Sequence, residues 1–267
     1  MNELIKRSIT GILYVAVIVS TAFFNHYAFI AFFALVGLIC LKELQELLDF
    51  KNYLSYFVLI ILLVLFNSVE YNQAIIITLM AITLIVKFFL LRDLYKSNTI
   101  NLFTSKKHLI TLFYLVPSII FITLIPVFNG DYKPQILIGM FIMIWCNDSF
   151  AYLIGKNFGK NKLFESISPK KTIEGFIGGL VFSVVSAFVL EHYFGILNLY
   201  TWIVMSIIVS IFGTLGDLVQ SKFKRRADVK DSGTIMPGHG GIFDRMDSML
   251  FSSTFVYLFL IIVDYVS

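Results

Sequence analysis

Long apolar runs alternate with short polar connectors along the whole chain. A helix needs about 20 mostly apolar residues to cross a bilayer. Nine stretches approach that requirement: 8–24, 27–41, 53–69, 73–91, 108–127, 135–155, 173–190, 199–220 and 248–266. The pattern predicts an all-α, polytopic transmembrane protein of about nine spans, although the first two runs could instead form a tight helical hairpin. Lys6 and Arg7 precede the first run, as in a signal peptide. However, Phe23, Phe24, Asn25 and His26 stand where a small-residue cleavage site would be, so a retained first span is expected.

Composition agrees. The chain is 58% hydrophobic and 14% charged, with mean hydropathy +0.86, too apolar for one soluble core of 267 residues. A single integral membrane domain, 1–267, is expected. Within it, 1–134 holds N-terminal spans of unassigned role and 135–267 holds the spans and loops that could carry chemistry. Cys40 and Cys146 lie in apolar runs and read as small apolar filler. With the N-terminus cytoplasmic, all of the 21 basic residues except Lys133 fall in inner segments or at span ends facing them. Glu70, Asp131, Glu191 and Asp264 then lie outside. The stretch Leu91 to Lys107 reads either as an amphipathic surface helix or as a solvated connector.

Two inner loops, 156–172 and 221–247, differ from the rest in length, glycine content and mixed charge. Just before the first, Asp148, Tyr152 and Gly155 share a helix face. A carboxylate at that depth usually faces a bundle interior or a wet cavity, though pairing with an interfacial lysine would also account for it. Ser168, Pro169, Lys170, Lys171, Thr172 and Glu174 follow. The lysines could neutralise phosphates, or simply anchor the inner face. Gly175, Gly178 and Gly179 suit close helix contact. Asp217 sits inside the end of a span with no basic residue within one turn, and so needs a partner from elsewhere, for which a metal ion or a cation from the next loop would serve. Ser221 is on its face.

Beyond it come Lys224, Arg225, Lys230, Asp231, a glycine-rich turn around His239, Gly240 and Gly241, and then Asp244, Arg245 and Asp247. Asp244 and Asp247 point the same way on the opening turn of the last span. His239 could donate to a phosphate or shuttle a proton, or only cap the loop. Many carboxylates and cations at one face suit a polyphosphate with a divalent metal. Oxygen ligands without a His or Cys cluster favour magnesium over zinc. No P-loop or dinucleotide fingerprint is present, and no nucleic-acid partner is expected.

Residues 221–247 resemble the signature of the phosphatidate cytidylyltransferase (CDP-diacylglycerol synthase) family. Ser221, Lys224, Arg225, Lys230, Asp231, Gly233, Pro237, His239, Gly240, Gly241, Asp244, Arg245 and Asp247 all stand in register. Met236 replaces a usual leucine and Ser232 a common aromatic. The run from Asp148 through Gly175 agrees too, whereas the first 140 residues fit only in length and hydrophobicity.

The resemblance implies transfer of the cytidylyl group of CTP to phosphatidate, giving CDP-diacylglycerol and pyrophosphate. It also implies magnesium, with a second metal ion as an option, and a fold able to form a homodimer. The best metal ligands would be Asp217 and Asp244, supported by Asp247 and Asp148. Lys170, Lys171, Lys224, Arg225, Lys230 and Arg245 would hold CTP phosphates or the lipid head, with His239 orienting a phosphate. Ser168, Thr172, Ser221, Asp231, Gly240 and Gly241 would complete substrate binding. The expected location is a bacterial plasma membrane, with the site on its cytoplasmic side. Two rivals use the same features: a CTP-dependent lipid-alcohol kinase, and a transporter with intramembrane aspartates. Transporters often pair broken helices in two halves, and no such pairing is visible.

Overall fold

The computed structural model describes residues 3–95, 107–236, 238 and 240–266. His239 and Pro237 therefore lie outside the described residues, as does most of the 91–107 stretch. Among the described residues nine helices follow one another: α1 (Glu3–Phe24), α2 (His26–Leu47), α3 (Tyr53–Ser68), α4 (Gln73–Leu94), α5 (Lys107–Leu124), α6 (Pro134–Phe158), α7 (Ile173–Phe194), α8 (Leu199–Arg226) and α9 (Phe243–Val266). Seven are long and apolar enough to cross a membrane. The Ile9–Phe24 part of α1 and the whole of α3 are shorter apolar helices. The polytopic all-helical fold is thus as expected, with two small additions. A two-stranded ribbon pairs β1 (Val127–Phe128) with β2 (Asp131–Tyr132), and a hairpin pairs β3 (Lys162–Phe164) with β4 (Ser168–Thr172).

Helix starts follow from short polar side chains that accept the otherwise unpaired first amides. Asn25 accepts from Ala28 N at 2.7 Å, Asn72 from Ala74 N at 2.9 Å, Thr172 from Gly175 N at 3.1 Å and Asn198 from Thr201 N at 2.8 Å. Gly195, at φ +58°, ends α7 in the left-handed region that glycine tolerates.

The core centres on α5, where Thr111–Leu115 form a π-helical turn and Val116–Leu124 are buried throughout. α9 packs along it, and α2, α3 and α4 cover its other sides. Exposed apolar side chains such as Ile12, Phe57, Phe88 and Val185 line the outer helices. That distribution suits a lipid-facing surface, since no soluble monomer exposes so much contiguous apolar area.

Glycines set the closest helix approaches. A Cβ on Gly179 would lie 2.5 Å from Asn147 O, and one on Gly175 would lie 2.6 Å from Ala151 O. The close packing expected at Gly175, Gly178 and Gly179 is therefore present, and the structure identifies α6 as the helix they meet. Between α8 and α9 the same role falls to Gly216, whose Cβ would meet Phe251 Cβ at 2.4 Å and Asp247 O at 2.8 Å. That approach brings Asp217 beside Asp247.

Polar locks join the first half of the chain to the second. Lys87, fully buried on α4, donates to Leu250 O, Phe251 O and Thr254 Oγ1 at 2.8, 2.9 and 2.6 Å. It lies deep in the protein rather than at a span end facing the inner side. Asp93, at the end of α4, pairs with Lys222 at 3.2 Å.

Candidate active site

Four helix ends meet on one side of the bundle: the C-terminal ends of α6 and α8 and the N-terminal ends of α7 and α9. The hairpin β3–β4 and the loop after α8 close over them. Between them lies a cavity of about 980 Å³ lined by Asp148, Lys171, Asp217, Lys224, Asp244 and Asp247, among others. Its wall continues between the spans through Tyr14, Val15, Phe141 and Trp145. Tyr14 of α1 donates to Met246 Sδ at 3.1 Å, so the first helix closes this side.

Helix geometry positions the charged groups. α8 continues to Arg226, six residues past the apolar run, so Ser221, Lys224 and Arg225 lie on a helix and not in a loop. Asp217, Ser221 and Lys224 then share one face. Ser221 donates to Asp217 Oδ1 at 3.1 Å, and Lys171 of β4 meets Asp217 Oδ2 at 2.5 Å. The cation beside Asp217 is thus Lys171 of the preceding hairpin, not a residue of the next loop as expected, because the hairpin folds back over the end of α8. The hairpin carrying it is tied down by Glu174, which accepts from Lys160 N at 3.0 Å and from Asn161 Nδ2 at 2.8 Å. Lys170 and Ser168 of the same strand also line the cavity.

Asp244 is held differently. Its Oδ1 accepts from Lys224 Nζ at 2.7 Å. Its Oδ2 accepts from Ser232 N, Ser232 Oγ and Gly241 N at 2.7, 3.0 and 3.0 Å. Asp247, one turn on, accepts from Ser248 N through Oδ1 at 2.7 Å. Asp148 and Asp217 lie close enough to Asp247 to repel its charge. Asp148 itself opens onto the cavity and accepts from Asn147 Nδ2 at 3.3 Å.

The remaining expected residues divide. Arg245 and Asp231 line the cavity. Thr172 lines it too, but its hydroxyl caps α7. Arg225 is exposed and donates to Val229 O at 3.2 Å. Lys230 is exposed outside the lining. Gly240, at φ +87°, turns the loop, and its carbonyl accepts from Met236 N at 2.9 Å. Gly241 contributes its amide to Asp244 rather than an open surface. Sequence reasoning missed Glu43 of α2, which reaches this loop from the first half of the chain.

Whether a divalent ion suits this donor set can be judged from the oxygens. Asp148, Asp217 and Asp247 offer hard oxygen donors facing one cavity, with Lys171 among them. Among the described residues, no three His, Cys, Asp or Glu side chains form a ready-made cage. Magnesium needs none: it keeps several waters and binds through one or two carboxylates plus substrate phosphates. Asp217 and Asp247 fit that pattern. Asp244, with four donors on its two oxygens, fits it less well.

Fold and site together define a polytopic membrane protein with a cavity lined by aspartates and lysines at its helix ends. The cytidylyltransferase family profile matches residues 5–263, and the chain belongs to that family. It is 53% identical over 112 residues to a phosphatidate cytidylyltransferase of Staphylococcus haemolyticus, covering 42% of this chain and 43% of that protein. It is 49% identical over 120 residues to the phosphatidate cytidylyltransferase of Bacillus subtilis, covering 45% of each. A Staphylococcus aureus protein of the same name is 54% identical over 113 residues, 42% of this chain and 43% of that one. In each case the chain spans less than half the length of the relative it matches.

Proposed function

We propose that the protein transfers the cytidylyl group of CTP to phosphatidate, giving CDP-diacylglycerol and pyrophosphate. One observation carries the reading: a cavity that joins a cluster of aspartates and lysines to an apolar wall between spans. A polyphosphate and a lipid phosphate can meet there while the acyl chains stay in the bilayer.

The lipid phosphate is already an anion, so no strong general base is required. Its oxygen bonds to the α-phosphorus of CTP, the α–β bridging bond breaks, and pyrophosphate carries away the electron pair. The difficulty lies in bringing two anions together and stabilising the leaving group. Lys170, Lys171 and Arg245 line the space where those charges gather. Asp217 and Asp247, supported by Asp148, would hold magnesium, which would neutralise phosphate charge in the transition state. Asp244 keeps Lys224, Ser232 and Gly241 in place beside it. Among the described residues, no hydroxyl lining the cavity is bonded to a histidine or carboxylate of the kind that activates a covalent nucleophile, which favours direct displacement.

The proposal places the protein in a bacterial plasma membrane with the cavity on the cytoplasmic side, where CTP is found. A homodimer is a separate proposal, which the mass of the detergent complex would test. The deciding assay incubates purified protein in detergent with phosphatidate, labelled CTP and magnesium. CDP-lipid is the expected product. CDP with a phosphorylated lipid would instead assign γ-phosphoryl transfer to a lipid alcohol. Pyrophosphate exchange into CTP without lipid would point to a cytidylyl-enzyme.

A further inference from the structure

Glu43 lies in the last turns of α2, within the half of the chain that contributes few polar groups to the cavity. It is 2% exposed. Its carboxylate is aimed at a segment about 200 residues away in sequence. Oε2 accepts from Phe243 N at 2.8 Å and from Ser232 Oγ at 3.0 Å, and Oε1 accepts from Ile242 N at 3.2 Å. Apart from Ser232, glycines stand where the loop crosses this carboxylate. A Cβ on Gly233 would lie 2.6 Å from Oε1, and one on Gly241 would lie 2.4 Å from Oε2. The backbone therefore closes directly around Glu43.

The charge is compensated by backbone. The amides of residues 242 and 243 are unsatisfied first donors of α9, at the positive end of its dipole. Ser232 Oγ stands 3.0 Å from Glu43 Oε2 and 3.0 Å from Asp244 Oδ2. Its single proton can serve one carboxylate at a time, so the two acids are coupled through it. Asp244 in turn fixes Lys224, and Asp247 follows one turn later on the same helix.

We infer that Glu43 is a positioning residue of the active site: it seats Ser232, Gly233 and the Gly241–Phe243 entry to α9, and through them sets the placement of Lys224, Arg245 and Asp247. The role rests on the cytidylyltransferase reading above. It gives an N-terminal span a direct part in the chemistry, beyond enclosing lipid. A purely structural anchor would make the protein more or less stable. A positioning anchor changes turnover in protein that stays folded.

The test compares wild type with Glu43→Gln and with Glu43→Leu, which removes the acceptor but keeps bulk. Three readouts are taken in detergent: melting temperature, amide exchange of the 241–245 segment, and steady-state kinetics in CTP and phosphatidate. For Glu43→Gln the melting temperature should stay within about 5 °C and exchange of 241–245 should rise about tenfold or more. Its kcat should fall at least about tenfold, with KM for phosphatidate within about twofold. Glu43→Leu should show the same kinetic pattern, and it decides the matter if Glu43→Gln does not fold. Faster loop exchange with wild-type kcat overturns the inference, because the tie is then structural only. Unchanged exchange overturns it as well. If wild type forms no CDP-lipid, the assigned reaction fails by itself. The tie between Glu43 and the loop is then sustained by lost protection in the variants, or overturned by intact protection.

Discussion

Lys224 donates to Asp244 Oδ1 at 2.7 Å across the seam between α8 and α9. The bond sorts the acidic residues into two tiers. In the outer tier Asp244 is spoken for, since Ser232 and Gly241 occupy its other oxygen. In the inner tier Asp148, Asp217 and Asp247 face the cavity and one another, with Lys171 as the cation in direct contact. The outer tier holds the loop, and the inner tier is the part suited to a metal and phosphates.

Charge-neutral substitutions should separate the tiers. Asp244→Asn leaves a part-buried lysine and three donors facing an amide. Breaking one side of a fully buried pair costs about 3–5 kcal/mol; the Lys224 side chain is 13% exposed, so the loss is smaller, but both melting temperature and turnover should drop. Asp247→Asn removes a charge that its neighbours repel. It should leave stability unchanged or raise it, while turnover falls about 100-fold, the scale of a few kcal/mol of transition-state stabilisation. Thermal melts beside turnover over a magnesium series provide the check. Asp247→Asn protein with normal turnover at low magnesium would remove it from the site.

Lys171 and Lys170 are neighbours in sequence but not in role. Lys171 contacts Asp217 at 2.5 Å, with its side chain 26% exposed, while Lys170 is exposed at the cavity rim. Lys171→Met should lower kcat/KM for CTP about 100-fold, as expected for losing a charged group aimed at developing phosphate charge. Lys170→Met should lower it tenfold or less, because a solvated charge acts through a high dielectric. Equal losses in the two variants would sink the distinction.

Gly216 is the spacer that lets Asp217 and Asp247 meet. An added methyl would press on Phe251 Cβ at 2.4 Å and on Asp247 O at 2.8 Å. Gly216→Ala must push α8 from α9, at about 1–3 kcal/mol for overpacking. The melting temperature should fall, and the apparent magnesium affinity in turnover assays should fall with it. A stable Gly216→Ala protein with unaltered magnesium dependence would show that the helix separation is not critical.

Much of this was legible before the structure. The nine helices follow from hydrophobic run length, and close helix packing follows from Gly175, Gly178 and Gly179. The requirement of Asp217 for a distant partner could be stated, but not that Lys171 supplies it. That pairing depends on a hairpin whose register no local pattern fixes. Helix ends were misplaced where charged residues continue a helix past its apolar run, as at Ser221–Arg226. Glu43 was passed over because Lys42 and Glu46 beside it read as an ordinary inner flank. Face gives no clue, because apolar neighbours such as Cys40 and Leu47 surround lipid-facing and buried positions of a membrane helix alike. Lys87 reads in the sequence as a charge near a span end, yet it is fully buried against α9.

Orientation is the last expectation to be tested. The ribbon at 126–133 and the loop after α8 are separated by α6, α7 and α8, each long and apolar enough to cross the bilayer. Three crossings put them on opposite sides whatever α1 and α3 do. The sorting of basic residues then says which side is which, because lysine and arginine concentrate in cytoplasmic loops. Position 131 should be outside and position 229 inside. Both are accessible: the Asp131 side chain is 74% exposed and Val229 is 39% exposed. Single cysteines can be placed at each on a background with Cys40 and Cys146 replaced. An impermeant thiol reagent on intact cells should label Asp131→Cys and not Val229→Cys, and lysis should make the second reactive. Labelling of position 229 on intact cells, with none at 131, would invert the protein. It would put the cavity on the face without CTP and so remove the setting that the proposed reaction needs. Labelling of both on intact cells would contradict the three crossings themselves.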